Sequence, residues 1–396
     1  MKFFYKCINC GAEYHTDEVM YLCPRCEREN KASLPPRGVL KVLYDYAGLK
    51  QKYRRLQEYN FLDLLPIKSL ESLPSLRVGD TPLYHFDSIE GEKFDFDLFI
   101  KDDSQNPTYS FKDRASAVVS AYAKERGIST IVAASTGNAG SSLAGIAASQ
   151  GQRAIIFVPE SAPLAKLTQI VMYGARLVKV RGNYDRAFDL SIQASKENGW
   201  YNRNTAYNPL TIEGKKTVSF ELFLQFKGVP DIIFVPVGDG VIISGVYKGF
   251  EDLMQVGLVN RMPIIVAVQS KGSNNFVANL YSDEFVSKPS ATIADSISVD
   301  IPRNFYMARD FIVKYSGEGI EVSDKEIVEA SKILSRNTGL FAEPAAAAAF
   351  AGFLRYWRDG KINNGLKVVV LSTGSGLKDL KAVQSIIESY TEVETI

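Results

Sequence analysis

Between residues 96 and 373 the sequence alternates short β-rich runs with helical stretches: FDLFIK, SAVVSAYAKER, STIVAAS, GSSLAGIAASQ, RAIIFVP, AKLTQIVMYG, RLVKV and YDRAFDLSIQASKEN. The pattern resumes with DIIFVPVG, VYKGFEDLMQ and PIIVAVQ, and ends with EPAAAAAFAGFLRYW and KVVVLST. Such alternation is the βαβ signature of a mostly parallel sheet, so the chain is predicted to be α/β. No repeat or low-complexity tract interrupts it, and the alanine run in EPAAAAAF reads as strong helix former.

At about 100 to 200 residues per domain, 396 residues hold two or three domains with cores that stand without staples. Lys and Arg total 46 against 45 for Asp and Glu, a net charge of +1. No chain-wide field therefore favours nucleic acid or an anionic membrane, and a small molecule is the expected partner. No apolar run approaches the roughly 18 residues that span a bilayer. The opening MKFFYKCINCG lacks the apolar core and cleavage site of a signal peptide, which makes the cytoplasm the expected location.

All four cysteines fall in the first 26 residues. Cys7 and Cys10 form one C-x2-C pair and Cys23 and Cys26 another, close to the spacing of zinc ribbons. Gly11 and Pro24 suit the tight turns that a tetrahedral site of four sulfurs requires. In a reducing compartment a metal is favoured over two disulfides. A C-x-x-C redox centre would need a βα junction, which nothing around these pairs provides. A structural zinc is therefore expected in a ribbon of residues 1–33. From there to about residue 80 the chain reads as an irregular connector with short helices, its basic run Lys50, Lys52, Arg54 and Arg55 on a solvated helix face.

Ligands of open α/β sheets sit beyond the carboxyl ends of the strands, which directs attention to four loops. Residues 106–114, NPTYSFKDR, present Lys112 among turn and capping residues. Residues 134–140, ASTGNAG, open a helix whose free N–H groups suit a carboxylate. Residues 237–241, VGDGV, lie between strand and helix, where backbone amides can cradle a phosphate. Residues 372–379, STGSGLKD, close the last strand with a hydroxyl pair and two glycines. Each loop alone has an ordinary reading as a surface lysine, a helix cap or a turn.

Together and in this order the four loops resemble the active site of fold type II pyridoxal phosphate enzymes, the tryptophan synthase β family, and within it the threonine synthase-like members. The resemblance spans most of the chain: GDTPLYHF is similar to the family's GNTPL, NPTYSFKDR to NPTGSFKDR, and ASTGNAG to ASTGN. IEGKKTVSFEL, VPVGDG, EPAAAA and TGSGLKD follow in the same order, and members with a zinc ribbon also begin with two cysteine pairs. The resemblance implies two open, twisted, mostly parallel sheets with the cofactor in the cleft between domains. These would be a large cofactor-binding domain of residues 34–125 and 195–396 and a small substrate-binding domain of residues 126–194, besides the zinc ribbon.

It further implies that Lys112 is the catalytic residue, carrying pyridoxal 5'-phosphate and moving the substrate α-proton. Phe111 would pack on the cofactor ring, Asn138 would reach its phenolic oxygen, and Gly238, Asp239, Gly240, Val241 and Ile242 would surround its phosphate. Thr373 would face the pyridine nitrogen. A hydroxyl does not keep that nitrogen protonated as an aspartate would, which favours elimination and replacement beyond Cα. Ser135, Thr136 and Asn138 would hold the substrate carboxylate, with Arg203 as a further substrate contact. Relatives with this fold are commonly homodimers.

Substrate-side positions depart from the family. NSxNPxRxEG becomes NRNTAYNPLTIEG over residues 202–214, so the arginine before the glutamate is lost and Arg203 appears earlier. Ser375 stands for a histidine, Val241 and Ile242 for glycine and asparagine, and Tyr109 for glycine. The cations left for a dianionic substrate are Arg203, Lys166, Lys215 and Arg303. The expected reaction eliminates phosphate from an O-phosphorylated amino acid and adds a nucleophile, O-phosphohomoserine and water giving threonine. The alternatives are β-replacement on O-phosphoserine with sulfite, as in cysteate synthase-like enzymes, and a serine or threonine dehydratase. A catalytically idle ribbon module is opposed by the retention of Lys112, Asn138 and Thr373.

Overall fold

The computed structural model describes residues 2–135, 137–162, 164–182 and 184–382, without the side chains of residues 164–166. Thr136 and the side chain of Lys166 thus lie outside the described residues. Strands β1 (Phe3–Cys7), β2 (Glu13–Tyr14) and β3 (Leu40–Tyr44) form an antiparallel sheet in the order β2-β1-β3. Strand β3 falls in the stretch expected to be irregular. Its buried Leu40, Val42 and Tyr44 alternate with half-buried Lys41 and Leu43, a one-faced strand pattern too short to stand out beside turn residues. The next helix, Tyr46–Tyr53, exposes Lys50 and Lys52 as expected.

Strands β4 (Leu83–Ile89) and β5 (Glu92–Asp102) form an antiparallel pair. Strands β6 (Thr130–Ala134), β7 (Arg153–Pro159), β8 (Arg176–Val180) and β9 (Tyr201–Asn202) make a parallel sheet in the order β8-β7-β6-β9. Strands β10 (Ile232–Pro236), β11 (Ile264–Ser270), β12 (Glu318–Val322) and β13 (Lys367–Ser372) join the first pair in a six-stranded sheet, β12-β11-β10-β13-β5-β4. Its pairs other than β4 with β5 are parallel. Two mostly parallel sheets linked by helices are what the strand and helix alternation specifies. The four-stranded sheet closes on β9, past residue 194, and β3 joins the ribbon sheet past residue 33. The edge strand β12 was not marked by the alternation, because Gly319 and two glutamates dilute its apolar run.

One face of the larger sheet, with Phe234, Val266, Val268, Val368 and Val370, is covered by the helix Pro344–Arg358. The alanines at 345–349 are each no more than 2% exposed, so the run is a contact surface as well as helix former. The short helix Leu210–Lys215 packs between the helices Lys112–Lys124 and Val241–Gln255. It can do so because Gly214 faces the backbone of Arg114, where any side chain would collide.

Just beyond lies a buried charge cluster. Lys216 donates to Glu213 and, at 2.7 Å, to Asp252, and Lys248 donates to Asp252 at 2.5 Å. Tyr44 and Tyr46 add hydroxyl donors to Glu213 and Asp252 at 2.5 and 2.6 Å. The four charged residues are no more than 1% exposed. Removing one partner would strand a buried charge, so Asp252→Ala is expected to lower the unfolding free energy in urea by about 3–5 kcal/mol. Lys50→Ala on the exposed helix should change it by less than about 0.5 kcal/mol.

Candidate active site

The carboxyl ends of β6, β7 and β10 open onto a cavity of about 450 Å3. Its wall brings together Lys112, Ser135, Asn138, Arg203 and Lys215 with Gly238, Asp239, Gly240, Val241 and Ile242. Two helices begin there. The helix Asn138–Ser149 leaves the N–H groups of Asn138 and Ala139 without acceptors among the described residues, and the helix Val241–Gln255 does the same at Val241, Ile242 and Ile243. Gly240, the residue before the second helix, has a φ of 82°, a left-handed turn that glycine adopts without strain. Free amides at the positive end of a helix dipole are a ready anion seat, and here two such ends share one cavity.

Lys112 opens the helix Lys112–Lys124 directly after the fully buried Phe111. Burial lowers its ammonium pKa to about 8; Glu343 and Asp239 oppose the shift and Arg203 adds to it. Roughly one such amine in ten is neutral at pH 7, against a few in ten thousand for an ordinary lysine. The loop holding it is pinned to the end of β13, where Phe111 donates its N–H to the Thr373 carbonyl at 2.9 Å and Ser110 pairs with Gly374. Phe111 and Thr373 are buried beside each other and lie outside the cavity wall.

The Asn138 amide donates to both carboxylate oxygens of Glu343, at 2.8 and 2.9 Å. Burial raises the Glu343 pKa, while the Asn138 hydrogen bond and Lys112 oppose the rise. Glu343 heads the EPAAAA motif, which by itself assigns it no role; its signal is an acid placed directly before an apolar alanine run, where a carboxylate is otherwise expensive to bury. Lys378 of the TGSGLKD loop donates to the Thr108 carbonyl, Ser141 and Gln169 at 2.8, 2.9 and 2.8 Å. It thereby ties the Lys112 loop to the helices of the smaller sheet.

Of the positions that depart from the family pattern, Arg203, Val241 and Ile242 border the cavity. Tyr109 does not: it is 52% exposed, with a φ of 65° that explains why glycine suits this position. Ser375 accepts the Leu377 N–H at 3.3 Å and also lies outside the wall. In the ribbon, the four cysteine sulfurs lie within 4.8 Å of one another, Cys7 to Cys26 at 3.8 Å and Cys10 to Cys23 at 3.7 Å. Sulfurs placed tetrahedrally about 2.3 Å from a zinc lie about 3.8 Å apart, whereas a disulfide needs about 2.05 Å. Donor set and spacing both fit the ion.

Residues 74–374 match the pyridoxal-phosphate dependent enzyme family. The chain belongs to that family. Similar proteins include the threonine synthase of Methanocaldococcus jannaschii, 36% identical across 98% of this chain and 96% of that protein. The threonine synthase of Halalkalibacterium halodurans is 34% identical across 84% of this chain and 92% of its own length. Among solved structures, the processed form of threonine deaminase isoform 2 from Solanum lycopersicum has a TM-score of 0.70 at 20% identity, covering 94% of this chain and 91% of its own. That likeness carries the fold, which is fold type II.

The cavity of this pyridoxal-phosphate enzyme fits its cofactor. It offers an amine that loses its proton readily and a turn of unbonded amides for the phosphate. Capture of pyridoxal phosphate by cofactor-stripped protein, followed by visible absorbance, should accelerate with pH around a midpoint near 8. A midpoint near 10 would return Lys112 to an ordinary lysine environment.

Proposed function

We propose that this enzyme is a threonine synthase, converting O-phosphohomoserine and water into threonine and inorganic phosphate. The observation that carries the reading is a lysine of lowered pKa in a cavity that receives two helix amino termini, one suited to the cofactor phosphate and one to the substrate carboxylate. Pyridoxal phosphate, once bound, accepts the electron pair left at Cα when the α-proton departs. Lys112 Nζ holds the cofactor covalently and, when released, takes and returns protons at carbon; its lowered pKa makes it a base near neutral pH. The amides of residues 238–242 seat the cofactor phosphate, and Ser135, Thr136 and Asn138 seat the substrate carboxylate.

Phe111 packs on the cofactor ring and Thr373 offers its hydroxyl to the pyridine nitrogen. Asn138, held by Glu343 in this structure, is the donor to the phenolic oxygen. Arg203 binds the substrate. Cys7, Cys10, Cys23 and Cys26 hold one structural zinc. The same reading carries a small domain of residues 126–194, a cytoplasmic homodimer, and no nucleic-acid or membrane partner; no helix among the described residues is long and apolar enough to cross a membrane.

The rival, β-replacement on O-phosphoserine, is favoured by one feature: Thr211 stands where the family's arginine is expected and donates its hydroxyl to the Asn208 carbonyl. Incubation with O-phosphohomoserine should release threonine and phosphate in equal amounts. Cysteate from O-phosphoserine and sulfite, with no threonine from O-phosphohomoserine, would overturn the reading. Metal analysis of the purified chain should find about one zinc per chain; none would remove the ion from the ribbon.

A further inference from the structure

We propose that Arg203 and Lys215 together form a side-chain seat for the phosphoryl group of the substrate, separate from the two helix amino termini. The inference rests on the proposed reading and deepens it, by naming the part of the wall that recognises a phosphorylated amino acid.

Both residues border the cavity and are no more than 1% exposed. A buried cation is ordinarily paired, because its desolvation is otherwise uncompensated. Elsewhere the chain obeys this rule: Arg114 pairs with Asp103 and Glu221, Lys101 with Glu221, and Lys216 and Lys248 with Asp252. Among the described residues, neither Arg203 nor Lys215 forms an ion pair. Arg203 has five N–H donors, yet its bonds are to Ser116 Oγ at 3.2 Å and the Lys112 carbonyl at 3.4 Å. Lys215 has three donors and one long bond, to Thr205 Oγ1 at 3.4 Å. Burial lowers both pKa values, and Lys112 and Arg203 press the Lys215 ammonium down further. An arriving dianion would reverse that repulsion.

Among the described side chains, the other candidates for this role do not fit it. Arg303 is paired with Asp185 at 2.5 Å and stacks over the Phe188 ring. Thr211 carries no charge and lies outside the wall. A planar guanidinium fork beside a compact ammonium suits a tetrahedral dianion, which needs several donors from different directions. The cofactor phosphate has the amides of residues 238–242, which leaves this pair to the substrate.

The test uses cofactor-loaded protein titrated with inorganic phosphate, read by calorimetry and by melting temperature. Wild-type protein should bind phosphate saturably. Lys215→Met and Arg203→Met should each weaken binding about tenfold or more while keeping the cofactor absorbance, and Lys215→Arg should recover most of it. In phosphate-free buffer Lys215→Met should melt no lower than wild type, because it removes an unpaired buried charge; a merely structural lysine would melt lower when removed. No phosphate binding by wild type, or binding unchanged in both methionine variants, would overturn the seat. So would a loss of cofactor affinity with phosphate binding intact, which would move the two cations to the cofactor phosphate. These outcomes do not depend on the product formed, so the seat and the threonine synthase reading fail separately.

Discussion

Lys216 and Lys248 share the carboxylates of Glu213 and Asp252 where the helix Val241–Gln255, whose first turn faces the cavity, packs on the short helix Leu210–Lys215. Buried charges of this kind hold position strictly, since any displacement leaves one of them unpaired in a medium that screens poorly. Tyr44 and Tyr46 bring the ribbon sheet into the same cluster, and Glu213 and Lys216 bring the short helix that ends at Lys215. The cradle at residues 238–242, the ribbon and one of the two unpaired cations are therefore referenced to a single point. A second contact acts from the ribbon side: Tyr21 stacks on Tyr207 at 4.5 Å and accepts the Asn202 N–H at 2.9 Å, next to Arg203.

Around the cavity the balance is the opposite of that cluster. Lys112, Arg203 and Lys215 converge with two helix amino termini, and the acids nearby are either partly exposed, as Asp239 is, or already engaged by an amide, as Glu343 is. Among the described residues the wall holds four cations and four acids, so the asymmetry is one of burial: Arg203 and Lys215 are buried while Asp185, Asp295 and Asp300 are exposed. Burial keeps Lys112 partly neutral near pH 7 against the pull of Glu343 and Asp239, and hydrogen-bond donors of the wall stay unsatisfied until anions arrive. Binding and proton transfer thus draw on one arrangement of charge.

Strands such as STIVAA, RAIIFVP and DIIFVPVG were legible because each is a compact apolar run between breakers, and the parallel order of the sheets follows from the helices between them. EGIEV and LKVLY were not, being short strands whose burial depends on neighbours rather than on composition. Lys112 was legible because NPTYSFKDR stands in order with three other loops that resemble the family's; alone it has the ordinary reading of a surface lysine. The engagement of Glu343 with Asn138 was not, because residues 205 apart in sequence meet only through the path of the backbone; Arg203 and Lys215 were legible as candidate cations, but not as a buried pair without acidic partners. Tyr109 and Ser375 looked like pocket changes and lie outside the wall, since a motif records proximity along the chain and not the direction of a side chain.

Catalysis at this site depends most on Lys112 being the amine that carries the cofactor. Borohydride reduction of the loaded protein, followed by peptide mass mapping, reads this directly, because reduction fixes the cofactor to whichever lysine holds it. The adduct should appear on the peptide containing Lys112. An adduct on Lys215, the other lysine in the cavity wall among the described residues, would contradict both the catalytic assignment and the anion seat.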